Sequence, residues 1–277
     1  MIRNRKPTLP GFKLTLGLTI LFVSLVILFP LSALTVKASS LGFKDFLSLA
    51  FNARTLSSYY VTFGCAFGAM LIDLVFGLLL AWILTRYSFP GKNLLDIAMD
   101  LPFTLPTAVA GISLAAVFGA HGWLGQWLEP LGIKVAYTPL GVTLAMAFVS
   151  LPFVVRTVQP VLQELDREVE EAATTLGGSP IVNFWKIIFP EIRSPALVGA
   201  SLAYIRGLGE FGAVIYIAGN LPFHTEITSL LIYIRLDEHD YPSAAAIAMV
   251  MLAVSLVLLL ALQAAHAYSQ RYLEKSA

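Results

Sequence analysis

The chain has 277 residues, is 57% hydrophobic, and carries 13% charged residues at a mean hydropathy of +0.79. A water-soluble domain has about 25% charged residues, so this composition excludes an ordinary soluble fold and points to a chain solvated by membrane lipid. A formal net charge of +1 offers no field for nucleic acid, and the single cysteine, Cys65, excludes an intrachain disulfide.

Crossing a bilayer takes about 20 mostly apolar residues in a helix. In lipid, the backbone amides of each crossing segment must be satisfied within it. The expected fold is an all-α membrane protein, a six-span helical bundle in which residues 1–277 form a single transmembrane domain. The spans fall at about 14–36, 59–84, 94–119, 138–158, 196–218 and 242–265. The first follows Arg3, Arg5, Lys6 and Lys13, but its apolar run exceeds the roughly 7–15 residues of a signal-peptide core. It is expected to stay as an anchored span.

Lysine and arginine placement sets orientation. Arg3, Arg5, Lys6, Lys13, Arg86, Lys92, Arg156, Arg167, Lys186, Arg193, Arg271 and Lys275 fall on the side of the termini. Lys37, Lys44, Arg54, Lys134 and Arg235 fall opposite, with the acids Glu226, Asp237, Glu238 and Asp240. The bias puts both termini in the cytoplasm.

The second span carries Asp73, and Cys65 lies there as a small packing residue. An ionisable group inside a membrane costs about 2.5–3.5 kcal/mol on insertion scales and marks function by default. Asp73 is read as a carboxylate hydrogen-bonded within the bundle or as part of a polar path. In the third span, Pro102 and Pro106 interrupt the run Met99 to Gly111. They make either a simple kink or a cavity-lining break with freed carbonyls.

The segment at about 159–195 is the one long polar connection, and orientation places it in the cytoplasm. Val169, Ala172, Ala173 and Leu176 recur at i, i+3, i+4, i+7, one face of a helix. Asp166, Glu168, Glu170 and Glu171 sit early in it, where the helix dipole favours negative charge. Gly177-Gly178 supplies a stop, Ser179 an N-cap and Pro180 a first helical residue. Ile181, Phe184, Trp185 and Ile188 then give a second amphipathic helix, and Pro190 precedes the return to the membrane. The design is a helical hairpin with one surface for the bundle and one for a partner.

The fifth span holds Arg206 and Glu210 at i, i+4, where they can pair. Two readings stand: a self-neutralising internal ion pair, or a gate in a polar lining. Gly207, Gly209 and Gly212 weaken the helix there and allow close backbone packing.

Absences are as informative. No phosphate loop is present, since Gly91-Lys92 lacks the upstream glycine and the following hydroxyl. Hydrolysis of ATP by this chain is therefore not expected, and neither is any other catalysis. His121, His224, His239 and His266 are too far apart for a metal motif.

Glu171-Ala172-Ala173, three residues, Gly177, nine residues and then Ile187-x-x-Pro190 resemble the EAA motif of permease subunits of bacterial ATP-binding-cassette importers. That motif ends Ile-x-Leu-Pro, and Phe189 replaces the leucine. The resemblance implies that the first hairpin helix is a coupling helix entering a groove on an ATPase. It implies that Glu171 contacts that ATPase, that Ala172 and Ala173 permit close approach, and that Gly177 makes the turn. Met99 to Gly111 and Arg206 to Asn220 resemble the sulfate and molybdate branch of these permeases. With Ala81 to Tyr87 and Pro152 to Pro160, the likeness extends over about 10–265 to the T-type permeases of sulfate/thiosulfate importers. It implies the type I importer (MetI-like) bundle in a bacterial inner membrane. The implied partners are a homologous W-type permease, an ATPase dimer and a periplasmic sulfate/thiosulfate-binding protein. No cofactor is expected on this chain, because ATP would sit on the partner subunits. Two alternatives are a molybdate or tungstate importer permease, and an ion-coupled secondary transporter using Asp73 and Glu210.

Overall fold

The computed structural model describes residues 11–276, with side chains for all of these except 167 and 265–276. Arg3, Arg5 and Lys6 lie outside the described residues, as do the side chains of Arg167, His266, Arg271 and Lys275. The described residues are mostly helical, with no strand among them.

Helix α1 (Phe12–Ser39) is apolar and, apart from Ala38 near its end, unburied, and its second half packs on the last helix. Next come the short helix α2 (Phe43–Ala50) and the long helix α3 (Ala53–Arg86). Asn52 starts α3 by accepting the Thr55 N–H on its side-chain oxygen at 2.9 Å, the usual N-cap device. Helices α4 (Lys92–Thr104) and α5 (Thr107–Phe118) meet at 114°. Pro106 explains the bend. It has no N–H for a continuing helix, and it forces Leu105 into extended backbone at ψ 136°.

Helix α6 (Pro139–Glu164) is the central one. It packs against α3 and against α8 (Phe189–Leu208), and these two also touch. Where the axes cross, glycines admit a neighbour. A Cβ on Gly77 would come within 2.7 Å of the Val154 side chain, and one on Gly199 within 2.8 Å of the Val154 backbone. Small residues of this kind let helices pack in lipid, where no hydrophobic force drives them together. The hairpin helix α7 (Arg167–Thr175) precedes α8. After α8 come the short α9 (Val214–Ile217), then α10 (Thr228–Asp237) and α11 (Tyr241–Ser276).

The span count differs from expectation. Among the described residues, four helices are long and apolar enough to cross a bilayer, or five if the bent pair α4–α5 is one span. The segment expected as the fifth span, 196–218, is not one helix. Helix α8 starts earlier, among Glu191 and Arg193, and stops at Leu208 before Gly209, so it has the length but not the apolar run.

The helix runs on through Pro190, so the second hairpin arm and α8 are continuous. Residues Phe184–Ile188 form one wide turn in which the Phe189 N–H reaches Phe184 O, five residues back. The wide turn accommodates a proline that can neither donate nor fit against the carbonyl four residues before it. The same arrangement occurs in α1, where Ser24–Leu28 widens just before Phe29 and Pro30.

Candidate functional site

The hairpin is built as its sequence suggests. Asp166 caps α7 by accepting the Glu168 N–H at 3.0 Å. Gly177 adopts φ 87°, a left-handed conformation that ends the helix. The Gly178 N–H then donates to Ala173 O at 2.9 Å, and Asn183 Nδ2 bridges back to Thr174 Oγ1 at 3.0 Å. Ser179 caps the second arm by accepting the Val182 N–H.

Among the described residues, this folding leaves an apolar face without cover. Leu176 is 89% exposed, and Val169, Ile181 and Trp185 are each half exposed or more. Glu171, Ala172 and Gly177 are exposed and Ala173 is half-buried. An open cleft of about 560 Å³ lies beside them, lined among others by Trp82, Glu170, Glu171, Thr174, Asn183 and Phe184. Its inner wall is charged and aromatic. Arg86, at the end of α3, pairs with Glu170. Its guanidinium lies 5.7 Å from the Trp82 ring centroid, and Trp82 meets Phe184 edge-on at 5.9 Å.

The second candidate region is where two broken elements meet. The bend between α4 and α5 packs against the break between α8 and α9. A Cβ on Gly111 would stand 2.2 Å from Ala213 O, and one on Gly212 would stand 2.1 Å from Thr107 Oγ1. Arg206 and Glu210 are brought together here, with Nη1 to Oε2 at 2.6 Å. Glu210 is 1% exposed. Its Oε1 accepts the Ala213 N–H at 2.9 Å, and its backbone carbonyl accepts the Ser229 hydroxyl at 2.8 Å. The carboxylate therefore satisfies a backbone donor freed by the break as well as neutralising Arg206.

Asp73 is fully buried, and its partner is Ser150 of α6, at 2.5 Å, rather than Arg206 or Glu210. The structure does not join it to the pair at the break.

Two further ionic sites were not legible in advance. Arg156, expected as a loop cation, lies within α6 and reaches α4. Nε and Nη2 donate to the two Asp100 oxygens at 2.9 and 2.7 Å, and Nη1 donates to Asp96 Oδ1 and Gln159 Oε1, each at 2.7 Å. The spacing of Asp96 and Asp100 at i, i+4 puts both on one face of α4 but does not say which helix faces them. Glu226, expected as a solvated loop acid, is 1% exposed and accepts from Arg54 Nη2 and Nε at 2.6 and 2.8 Å. It had to be buried because Thr228, two residues on, starts α10 against Ser58 and Thr62 of α3.

Residues 73–272 match the family described as binding-protein-dependent transport system inner membrane component. Among curated proteins, the sulfate transport system permease protein CysT of Escherichia coli K12 is 55% identical over 257 residues, 92% of each chain. The protein of that name from Salmonella typhimurium LT2 is 55% identical over 256 residues, again 92% of each. The one from Synechocystis is 46% identical over 254 residues, 92% of this chain and 89% of that one. Among solved structures, a bacterial ABC transporter involved in the import of the acidic polysaccharide alginate superposes with a TM-score of 0.77. It is 16% identical, and the match covers 93% of this chain and 96% of that one. The alginate transporter solved in complex with an alginate pentasaccharide-bound periplasmic protein superposes at 0.69, also at 16% identity, covering 91% and 92%.

Proposed function

The chain belongs to the family of binding-protein-dependent transport system inner membrane components, and from that membership we propose that it is the permease subunit of an ATP-driven sulfate importer. The observation that carries the substrate is the 55% identity, over 92% of both chains, to permeases named for sulfate transport. The exposed hairpin supports the mode of driving. Helix α7 and the residue that ends it present Glu171 and Leu176 outward, uncovered by any of the described residues.

In this reading α7 is a coupling helix. It docks on an ATPase subunit through Glu171, with Ala172 and Ala173 allowing the surfaces to approach and Gly177 setting the turn. Both termini lie in the cytoplasm. A second, W-type permease completes the path, and a periplasmic binding protein delivers the anion. ATP binding closes the ATPase dimer, the hairpin follows, and the path opens outward; hydrolysis resets it. No cofactor resides on this chain. Selectivity lies mostly in the binding protein, since Arg206 and Arg156 are both paired with carboxylates. The Arg206–Glu210 pair serves as an internal tie at the helix break.

The test is uptake of labelled sulfate by vesicles carrying this chain with its candidate ATPase, second permease and binding protein, each omitted in turn. Uptake should need ATP and all four chains. Competition by thiosulfate and molybdate measures the selectivity. Uptake that survives loss of the ATPase, or that molybdate supports better than sulfate, would overturn the reading.

A further inference from the structure

Glu170 and Glu171 are neighbours on α7 but occupy different surroundings. Glu171 is exposed, whereas the Glu170 side chain is 25% exposed and bound to Arg86, itself 10% exposed. Arg86 is the last residue of α3, a 34-residue helix that crosses the whole bundle. Beneath it, Trp82 stacks under the guanidinium and meets Phe184 of the second hairpin arm. Flanking Trp82, Ala81 and Leu84 are buried in the same cluster as Ile188 and Ile192. The end of α3 therefore touches both arms of the hairpin, one through charge and the other through rings.

We propose that Arg86 and Glu170 form the positioning joint that carries movement of the hairpin into α3, while Glu171 serves the partner side. A half-buried ion pair backed by an aromatic ring resists both sliding and separation, because pulling it apart leaves a charge in a poorly solvated place. A displacement of α7 must then drag the end of α3 with it. Through α3 it reaches Asp73–Ser150 and the packing on α6. Without the joint, α7 would still dock but would move with less effect on the spans. This inference rests on the reading of α7 as the ATPase-docking helix.

The experiment uses the complete transporter in proteoliposomes and measures sulfate moved per ATP hydrolysed, alongside co-purification of the ATPase. Arg86→Gln and Glu170→Gln should keep the ATPase bound and lower the transport-to-hydrolysis ratio roughly tenfold, within the range of ordinary coupling energies. The exchange Arg86→Glu with Glu170→Arg should recover most of the ratio. Glu170→Asp, which shortens the reach by one methylene, should fold even where the neutral variants fail and should lower the ratio several-fold. An unchanged ratio in any of these single variants, or an exchange that folds and stays as uncoupled as the singles, overturns the joint. Loss of the ATPase from Arg86→Gln would also overturn it, by making the pair part of the docking surface. Glu171→Lys separates the two claims. If it keeps the ATPase, the docking reading fails; if it loses the ATPase while Arg86→Gln couples normally, only the joint fails.

Discussion

Arg156 holds Asp100 with two parallel hydrogen bonds, Nε to Oδ1 at 2.9 Å and Nη2 to Oδ2 at 2.7 Å. The pair joins the central helix α6 to α4 just before the chain turns at Pro106. Asp96, one turn earlier, receives the remaining Nη1 donor. A planar guanidinium suits this forked arrangement because it satisfies two carboxylates and Gln159 from fixed directions. The bend between α4 and α5 is thus fixed on one side by proline chemistry and on the other by an ion cluster.

Arg156→Lys tests whether the fork, rather than the charge, secures α4. A lysine keeps the charge but reaches Asp96 or Asp100 as a point donor. The pair is partly exposed, so the stability loss should be modest, about 1 kcal/mol. Sulfate uptake should fall more than stability does. Thermal unfolding in detergent beside vesicle uptake measures both, and a lysine variant equal to the parent in uptake would show that charge alone suffices.

Gly111 and Gly212 hold the two breaks together. An added methyl at Gly111 would overlap the Ala213 carbonyl, which is backbone and has no rotamer to move away. At Gly212 the obstacle is the Thr107 hydroxyl, a side-chain atom that can rotate. Gly111→Ala should therefore cost more than Gly212→Ala, by about 1–3 kcal/mol in the manner of overpacked cores. Comparing the melting temperatures of the two purified variants checks the order. Equal losses would mean that the breaks do not pack as closely as described.

Much of this architecture follows from local chemistry and was legible in the sequence. Apolar runs located the helices around 14–36, 59–84, 138–158 and 242–265, and the Gly177-Gly178 pair located the hairpin turn. The fifth span was misjudged because a hydropathy run passes over Gly209 to Ala213 without registering that the glycines end the helix. That the helix continues through Pro190 was not legible, because the single wide turn that allows it is invisible to periodicity. The contact of Gly111 with Ala213, and the pairs Arg156–Asp100, Arg54–Glu226 and Arg86–Glu170, depend on which helices adjoin. No spacing within one helix encodes that.

Glu210 is expected to matter through two separate atoms. Glu210→Gln keeps an oxygen for the Ala213 N–H but removes the charge that faces Arg206. Glu210→Ala removes both and leaves a backbone donor and a cation unmatched. Both variants lose the charge, so they differ in the Ala213 N–H; a buried donor left unsatisfied costs about 1–3 kcal/mol, and the alanine variant should be the less stable by an amount in that range. If Arg206→Met combined with Glu210→Gln regains stability and still transports sulfate, the pair is an internal tie. Restored stability with transport abolished would instead assign it to the gate.

The hairpin turn allows a contrast between adjacent glycines. Gly177 has φ 87° with open space around its Cβ direction, so Gly177→Ala meets only the backbone penalty of a left-handed residue, about 1–2 kcal/mol. Gly178 has an ordinary backbone, but a Cβ there would lie 2.4 Å from Asn183 Oδ1 and 2.8 Å from Ala173 O. Gly178→Ala must displace Asn183 from Thr174, and with it the second arm from the first. The resemblance assigns the turn to Gly177, yet the tighter packing belongs to Gly178. In co-purification with the ATPase subunit, Gly178→Ala should lose more of the partner than Gly177→Ala. The reverse order would show that backbone direction at the turn, rather than closure of the two arms, sets the docking surface.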